Sequence, residues 1–417
     1  MTEPTPTGYR NTWLWNVRFS AYWFATSYKW FILLLVVIPG QVAELVPGGT
    51  KNTSWGLVYS VGAVWAAFGP ALFGGISDRI TTRWGHRIPF ILGGSALTVV
   101  ALVTLATANS IGQLVIGYLL LQVGDDLGTG PYGGMVAEVV PKEHRGRASS
   151  IMQVMQQSGN VLSALTAIVL KQPALIYLSI GFWNIACALV TAYTIQDFPT
   201  VRTKEKKPPF FSSWLEPWSN SDFRRVYAAK FLNVLAFALI SNYILYYLTD
   251  MFPSYKLLKW DFQTARDAAG IIGVTVSLCA VIGALLTTRY VEQYGKKRLI
   301  SVSGTAVFLV LVPFGLARNF DVLWGLAIPF GVALGVYVSC DWALASDLIP
   351  DKTKAGAQMG VWVSALTVPQ VVTGFAGRGI DALNGMSFGL GYMSVIWLSG
   401  CLFVCGTLLN RSIKGSY

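Results

Sequence analysis

The chain has 417 residues, 53% hydrophobic and only 12% charged, with a mean hydropathy of +0.52. A soluble globular chain carries about 25% charge, so this composition excludes a water-soluble domain and puts most residues in lipid, or in protein buried within lipid. The formal net charge of +11 would suggest nucleic acid in a soluble protein, but neither a basic helix nor an interleaved aromatic stripe accompanies it, so the charge reads as membrane topology with no nucleic-acid partner.

The amino-terminal stretch MTEPTPTGYRNTW is polar and is not expected to hold a cleavable signal, since the apolar run behind it is too long for a signal-peptide core. The first span is therefore expected to direct insertion. About twelve spans of roughly 20 residues follow, the length a hydrocarbon core needs. They fall near 14–38, 54–75, 89–107, 111–136, 148–170, 173–196, 223–248, 268–290, 298–317, 321–345, 356–377 and 389–409. Alternate loops carry the positive charge: Arg79, Arg83 and Arg87; Lys142, Arg145 and Arg147; Lys204, Lys206, Lys207, Arg224 and Arg225; Lys296, Lys297 and Arg298; Lys352 and Lys354; Arg411 and Lys414. By the positive-inside rule these loops and both termini are cytoplasmic. The expected fold class is an all-α, multi-pass membrane protein.

Between the second and third spans runs GGISDRITTRWGHRIPF, Gly74 to Phe90. Ser77 and Asp78 can end one helix, Gly85 permits a positive φ, and Pro89 can open the next helix. The series Gly-x-x-Ser-Asp-Arg, then Arg-Trp-Gly-x-Arg-x-Pro-Phe, resembles the loop between helices 2 and 3 of the major facilitator superfamily. More narrowly it resembles the glycoside-pentoside-hexuronide and sucrose-type sugar symporters, although Ile88 stands where those often carry a third basic residue. The resemblance implies two pseudo-symmetric six-helix bundles, with helices 1, 4, 7 and 10 around a central cavity that opens alternately to either side.

The longest polar interruption, 197–222, is read as a cytoplasmic linker between an amino-terminal bundle, 1–196, and a carboxy-terminal bundle, 223–417; its Phe210, Phe211, Trp214 and Trp218 suit an interfacial amphipathic segment. Internal repetition supports the division. Glu138, Pro141 and Gly146 correspond to Asp347, Pro350 and Gly356, and the basic hairpin has a degraded echo at 283–298, where Thr288 replaces Asp78.

Charges near the bilayer centre cost at least about 2.5–3.5 kcal/mol on insertion scales and are retained where a partner or a task compensates. The apolar runs contain Arg18, Lys29, Asp125, Asp126, Lys230 and Asp341, all on the four helices that the resemblance assigns to the cavity. Asp125 and Asp126 lie midway along the fourth span between Gly124 and Gly128. Neighbours on a helix diverge by about 100°, so one can face a cavity while the other faces an adjacent helix. Ionising both at low dielectric is costly, which suits one of them, with Asp125 favoured, to carrying a proton. Lys29 is the expected counter-ion. The other reading of this group is a static pair locking the first span to the fourth.

Further polar residues complete the expected site. GTGP with Tyr132 resembles the element behind the polar centre of helix 4 in sucrose-type carriers, where the proline can break the helix. Gln153, Gln156, Gln157 and Asn160 form an i, i+3, i+4, i+7 stripe on the fifth span, which can bond neighbouring helices or line a sugar site. In the second half Lys230, Asn233, Asn242, Tyr243, Tyr246, Asp341, Trp342, Trp362 and Gln370 supply a mixed aromatic and amide surface of the kind polyols favour. Arg18 and Tyr132 join the expected substrate cavity. Asp78, Arg79, Arg83, Arg87, Glu138 and Asp347 are assigned to a cytoplasmic gate.

The second span holds no carboxylate, which departs from sodium-coupled melibiose-type carriers and argues for proton coupling. The five cysteines lie in apolar runs without metal-ligand spacing and read as reduced packing residues. Enzyme motifs are missing: no phosphate loop, no Gly-x-Ser-x-Gly, and two histidines, His86 and His144, both in basic loops. The expectation is a non-enzymatic, monomeric secondary transporter of the bacterial cell membrane that needs no cofactor beyond a proton gradient and symports a sugar or similar small polar solute. A proton-coupled drug or metabolite exporter and a non-transporting assembly factor are the alternatives.

Overall fold

The computed structural model describes residues 9–10, 12–77, 80, 82–141, 144–195, 216–347 and 355–412. Helices dominate from the first described turn. Thr12 caps α1, Trp13–Ile32, its hydroxyl accepting from Trp15 N at 3.2 Å. A π-helical turn, Leu33–Val37, then leads into α2, Ile38–Leu45. Pro39 accounts for the widened turn: it has no N–H to give to the carbonyl of Leu35, and its ring crowds that carbonyl. The second span is divided for the same reason. Its first piece, α3, ends at Ala66 (Lys51–Ala66), the residue whose carbonyl Pro70 would clash with, and α4 covers Gly69–Ser77.

After the hairpin come α5, Ile88–Ala106, α6, Ile111–Val139, α7, Arg145–Val169, and α8, Pro173–Ile195. Then follow α9, Ser221–Met251, α10, Ala265–Tyr294, α11, Lys296–Leu316, α12, Phe320–Asp347, α13, Ala355–Met386, and α14, Leu390–Arg411. Asn220 and Thr264 cap α9 and α10 through their side-chain oxygens. Gly295, at φ 75°, ends α10 and starts α11. One two-stranded hairpin, β1 Tyr255–Leu257 and β2 Trp260–Phe262, joins α9 to α10 and was not anticipated.

Nine helices among the described residues are long and apolar enough to cross a membrane. The helices α6, α7 and α13 also reach spanning length, with 29, 25 and 32 residues. Two expectations need correction. Pro131 does not break α6, which runs through it to Val139; neighbouring helices can hold a proline-bearing segment helical in such a setting. Cys401 and Cys405 are exposed on α14, whereas Cys187, Cys279 and Cys340 are buried as packing residues.

By its contacts the chain forms two compact units, Met1–Ile38 with Val64–Glu205, and Pro39–Ala63 with Lys206–Tyr417. This grouping differs from a division at the linker, most of which lies outside the described residues, because 39–63 packs with the carboxy-terminal helices. The order of packing repeats between the units. In the first, α1 packs on α7 and α8, α5 on α6 and α8, and α4 on α6; in the second, α9 packs on α13 and α14, α11 on α12 and α14, and α10 on α12.

Glycine allows a close approach in the first unit, where α5 and α6 meet backbone to backbone. A Cβ added to Gly94 would run into Gly124 O, at 2.5 Å, and Gly128 N, at 2.7 Å. Gly94→Ala is therefore expected to destabilise the protein by about 1–3 kcal/mol through overpacking. The thermal midpoint in detergent should fall, whereas Gly112→Ala, whose Cβ meets nothing within 4 Å, should leave it unchanged or slightly raised.

Candidate functional site

In the first unit Lys29 and Asp125 form a buried ion pair between α1 and α6. Trp30 donates its indole N–H to the other Asp125 oxygen at 2.8 Å, so both carboxylate oxygens are met. Asp126, one residue on, points elsewhere. Its Oδ1 accepts from Gln122 Nε2 at 3.2 Å, while Oδ2, buried, has no hydrogen-bond partner among the described residues. That oxygen and the indole nitrogen of Trp65, likewise without a partner, sit against Gly69 at the start of α4. Adjacent acids thus have unlike surroundings: Asp125 is directly paired with a cation, whereas Asp126 forms no ion pair among the described residues and feels Lys29 only at longer range. A buried charge without a counter-ion is expensive.

Four residues of this arrangement were not singled out from the sequence. Trp30 follows Lys29 directly, and Gln122 lies four residues before Asp126, a spacing that reaches along one helix face. Tyr22 lies two turns before Lys29 on α1, and its hydroxyl occupies the space beside Gly128. Adjacency to Lys29 for Trp30, i, i+4 spacing for Gln122 and i, i+7 spacing for Tyr22 are the only signals; Trp65 carries none, because its approach depends on the break between α3 and α4.

The second unit contains a counterpart. Lys230 of α9 and Asp341 of α12 form a buried ion pair, and Tyr337 donates its hydroxyl to Asp341 Oδ1 at 3.2 Å. Helices α9 and α12 hold the same places in the packing order as α1 and α6. Lys230 stands about two turns nearer its helix start than Lys29, and Asp341 about two turns nearer its helix end than Asp125. Asn233 is buried one turn from Lys230.

The remaining predicted residues divide by surroundings. Arg18 is exposed in the second turn of α1 and stands near the helix start, not at its middle. Tyr132 is a packing residue: fully buried, it donates to Phe19 O at 2.7 Å and packs against Phe19, Tyr22 and Trp23. This corrects its assignment to a substrate cavity, because no face of the ring is left open. Gln153 is exposed, Gln157 and Asn160 are half-buried, and Asn160 donates to Gln157 Oε1 at 2.9 Å. Tyr243 is committed to packing through its hydroxyl, which donates to Thr373 O; Asn242 is buried and its backbone carbonyl accepts from Trp55. Trp342 and Trp362 have side chains outside the described residues, as do Glu138 and Asp347.

In the basic hairpin Asp78 and Arg79 lie outside the described residues. Gly85 has φ 85° and exchanges backbone hydrogen bonds with Thr82 at 3.0 and 3.1 Å, as a tight turn needs. Pro89 sits in the first turn of α5. Arg87 is buried and donates to Ser77 Oγ, tying the two ends of the hairpin, while exposed Arg83 lies over the Trp84 ring at 4.8 Å. No three His, Cys, Asp or Glu residues among those described are grouped to hold a metal ion.

A buried pair of this kind has a measurable signature. Lys29→Ala leaves the Asp125 carboxylate buried without its cation, at an expected cost of about 3–5 kcal/mol, whereas replacing both members by apolar residues of similar size is near neutral. Thermal unfolding should therefore rank Lys29→Ala well below both the parent and Lys29→Met with Asp125→Leu. Additive losses in the double variant would mean that the two groups are not coupled.

The chain matches the family model of the Major Facilitator Superfamily over residues 19–374. Sucrose transport protein SUC4 of Arabidopsis thaliana is 24% identical over 158 residues, a match that spans 34% of this chain and only 30% of that protein's length. Several solved structures share the fold. A bacterial homologue of the human lysosomal transporter Spinster, inward-facing and occupied, superposes with a TM-score of 0.75 at 11% identity, covering 96% of both chains. Nucleoside transporter NupG gives 0.70 at 13%, covering 97% of this chain and 99% of the other, and a D-xylose-proton symporter gives 0.68 at 14%, covering 97% and 98%. With the family model spanning most of the chain and the fold that of multi-pass membrane transporters, the protein belongs to the Major Facilitator Superfamily and is a transporter, not an enzyme.

Proposed function

We propose that this transporter is a proton-coupled symporter of a sugar or similar small polar solute, working by alternating access in a bacterial plasma membrane. Twelve spans in two pseudo-symmetric halves and both termini in the cytoplasm belong to the same reading, which draws on the alternation of basic loops and the repeated packing order. The observation that carries the proposal is the difference between the two adjacent acids. Asp125 is compensated by Lys29 and Trp30, whereas Asp126 forms no ion pair among the described residues, so a proton taken up there would remove a charge without a direct counter-ion. These surroundings favour Asp126 as the proton carrier over Asp125, with Lys29–Asp125 linking its protonation to the position of α1. The partial match to a sucrose transport protein and the fold shared with a D-xylose-proton symporter support a sugar as solute.

In this reading protonation of Asp126 adds one proton per cycle to the moving solute, and its release on the cytoplasmic side resets the charge. The basic hairpin, tied by Arg87 and Ser77, is proposed as part of the cytoplasmic gate with Arg83, Asp78 and Arg79, and Glu138 and Asp347 are proposed to face it. Proteoliposomes under an imposed inward proton gradient, offered labelled sucrose and labelled D-xylose separately, test the reading. Accumulation above equilibrium is expected for at least one of the two. Asp126→Asn should reduce gradient-driven accumulation to background and retain exchange of internal for external solute. Accumulation that survives in Asp126→Asn and stops in Asp125→Asn would transfer the role to Asp125; accumulation of neither sugar by the parent protein would overturn the sugar assignment.

A further inference from the structure

Trp65 lies in the last turn of α3, about one turn before the Gly69 that opens α4. Its carbonyl accepts from Phe68 N at 3.0 Å, closing the turn between the two helices, and its ring lies 6.1 Å from that of Phe73 on α4. The break in the second span therefore fixes where the indole points. A Cβ built on Gly69 would lie 2.7 Å from Trp65 Nε1, 2.3 Å from Asp126 Oδ2 and 2.9 Å from Asp126 Cγ. Indole nitrogen and carboxylate thus border one small space, which only a glycine at 69 leaves open.

Neither atom is satisfied there. Trp65 Nε1 and Asp126 Oδ2 are both buried without a hydrogen-bond partner among the described residues. An indole N–H only donates, and an ionised carboxylate only accepts. The pair is matched when Asp126 carries its charge, and a small turn of either side chain completes the bond. Protonation reverses this. Gln122 Nε2 already donates to Oδ1 at 3.2 Å, which leaves the proton to Oδ2, and two donors then face each other across the Gly69 space. A mismatch between buried polar groups is costly, so the indole is driven away from the protonated acid.

The other groups around Asp126 do not take this part. Asp125, beside it on α6, is held by Lys29 and Trp30. Lys29 and Tyr22, both on α1, reach Asp126 only by longer-range electrostatics. Of the helices packed on α6, α4 and α5 carry no titratable side chain, and the charged residues of α7, Arg145 and Arg147, fall in its first turn.

We propose that Trp65 is a positioning residue that reads the protonation of Asp126: its indole N–H turns onto Oδ2 when the acid is ionised and leaves the Gly69 space when the acid is protonated. The state of one proton on α6 is thereby passed to the break between α3 and α4. This deepens the coupling reading and rests on it for its use in transport; the response of the indole to the acid is measurable without solute or gradient.

The test is fluorine NMR of the full chain in lipid nanodiscs, with its 15 tryptophans replaced by 5-fluorotryptophan. Trp65→Phe identifies the Trp65 signal by its loss. Over a pH scan that signal should move in a single step. Infrared difference spectra should place the step at the same pH as the protonated-carboxyl band that is lost in Asp126→Asn. In Asp126→Asn the Trp65 signal should hold still across the scan, because the amide does not titrate. Gly69→Ala, which fills the shared space, should displace the signal and abolish its pH response while the carboxyl band still titrates. Two unlike lesions are used so that one misfolded variant does not decide the result, and the other tryptophan signals report the fold of each. A Trp65 signal that ignores pH while the Asp126 band titrates overturns this inference and leaves the coupling reading standing, as does a response that persists in Asp126→Asn. An Asp126 band that does not titrate removes both.

Discussion

A charge kept at bilayer depth must be met by an opposite charge, by hydrogen bonds or by a proton, because the surroundings supply no water to do it. The ion pair of Lys29 with Asp125 is the point where this constraint acts most directly. It ties α1 to α6, and it leaves Asp126 as an acid whose second oxygen has no partner among the described residues. Each property of the proposed coupling site follows from that asymmetry. A single acid in place of two would be a structural anchor or a proton carrier; two neighbours on one helix, diverging by about 100°, divide the tasks.

The same constraint appears again between α9 and α12, where Lys230 and Asp341 are paired about two turns away from the equivalent place. Packing order is shared by the two units, but the depth of the charge is not. A repeated fold can keep its helix neighbours while moving its polar residues along them, since the large apolar contact areas set the packing and each ion pair needs only two facing positions. That separation allows the halves to take unlike roles with one architecture.

Three of the prolines in the first unit's spans and the segment beside them have three different results. At Pro39 a turn is widened, at Pro70 a helix ends, and at Pro131 the helix continues. The chemistry is identical each time: one N–H is lost and one carbonyl is crowded. What differs is the packing around it. The Pro39 and Pro70 irregularities flank residues 39–63, which pack with the carboxy-terminal helices, whereas Pro131 lies in a helix tightly braced by α4, where Gly130 meets the Pro70 carbonyl.

Much of the architecture was legible in the sequence. Long apolar runs announce membrane helices because lipid demands about 20 residues per crossing, and charges inside those runs stand out because they are expensive there. The turn chemistry of Gly85 and Pro89 could be read locally for the same reason: φ preference belongs to the residue itself. Other features had no local cause. Tyr132 reads as a cavity residue until its ring is found enclosed by Phe19, Tyr22 and Trp23, and nothing in the spacing of Thr53 and Asp381 joins positions 328 residues apart. Composition and periodicity determined that this chain lives in a membrane and where its helices run; which lysine meets which aspartate, which proline bends its helix and which backbone faces touch was decided only by tertiary packing, because those outcomes depend on atoms that approach from elsewhere in the chain.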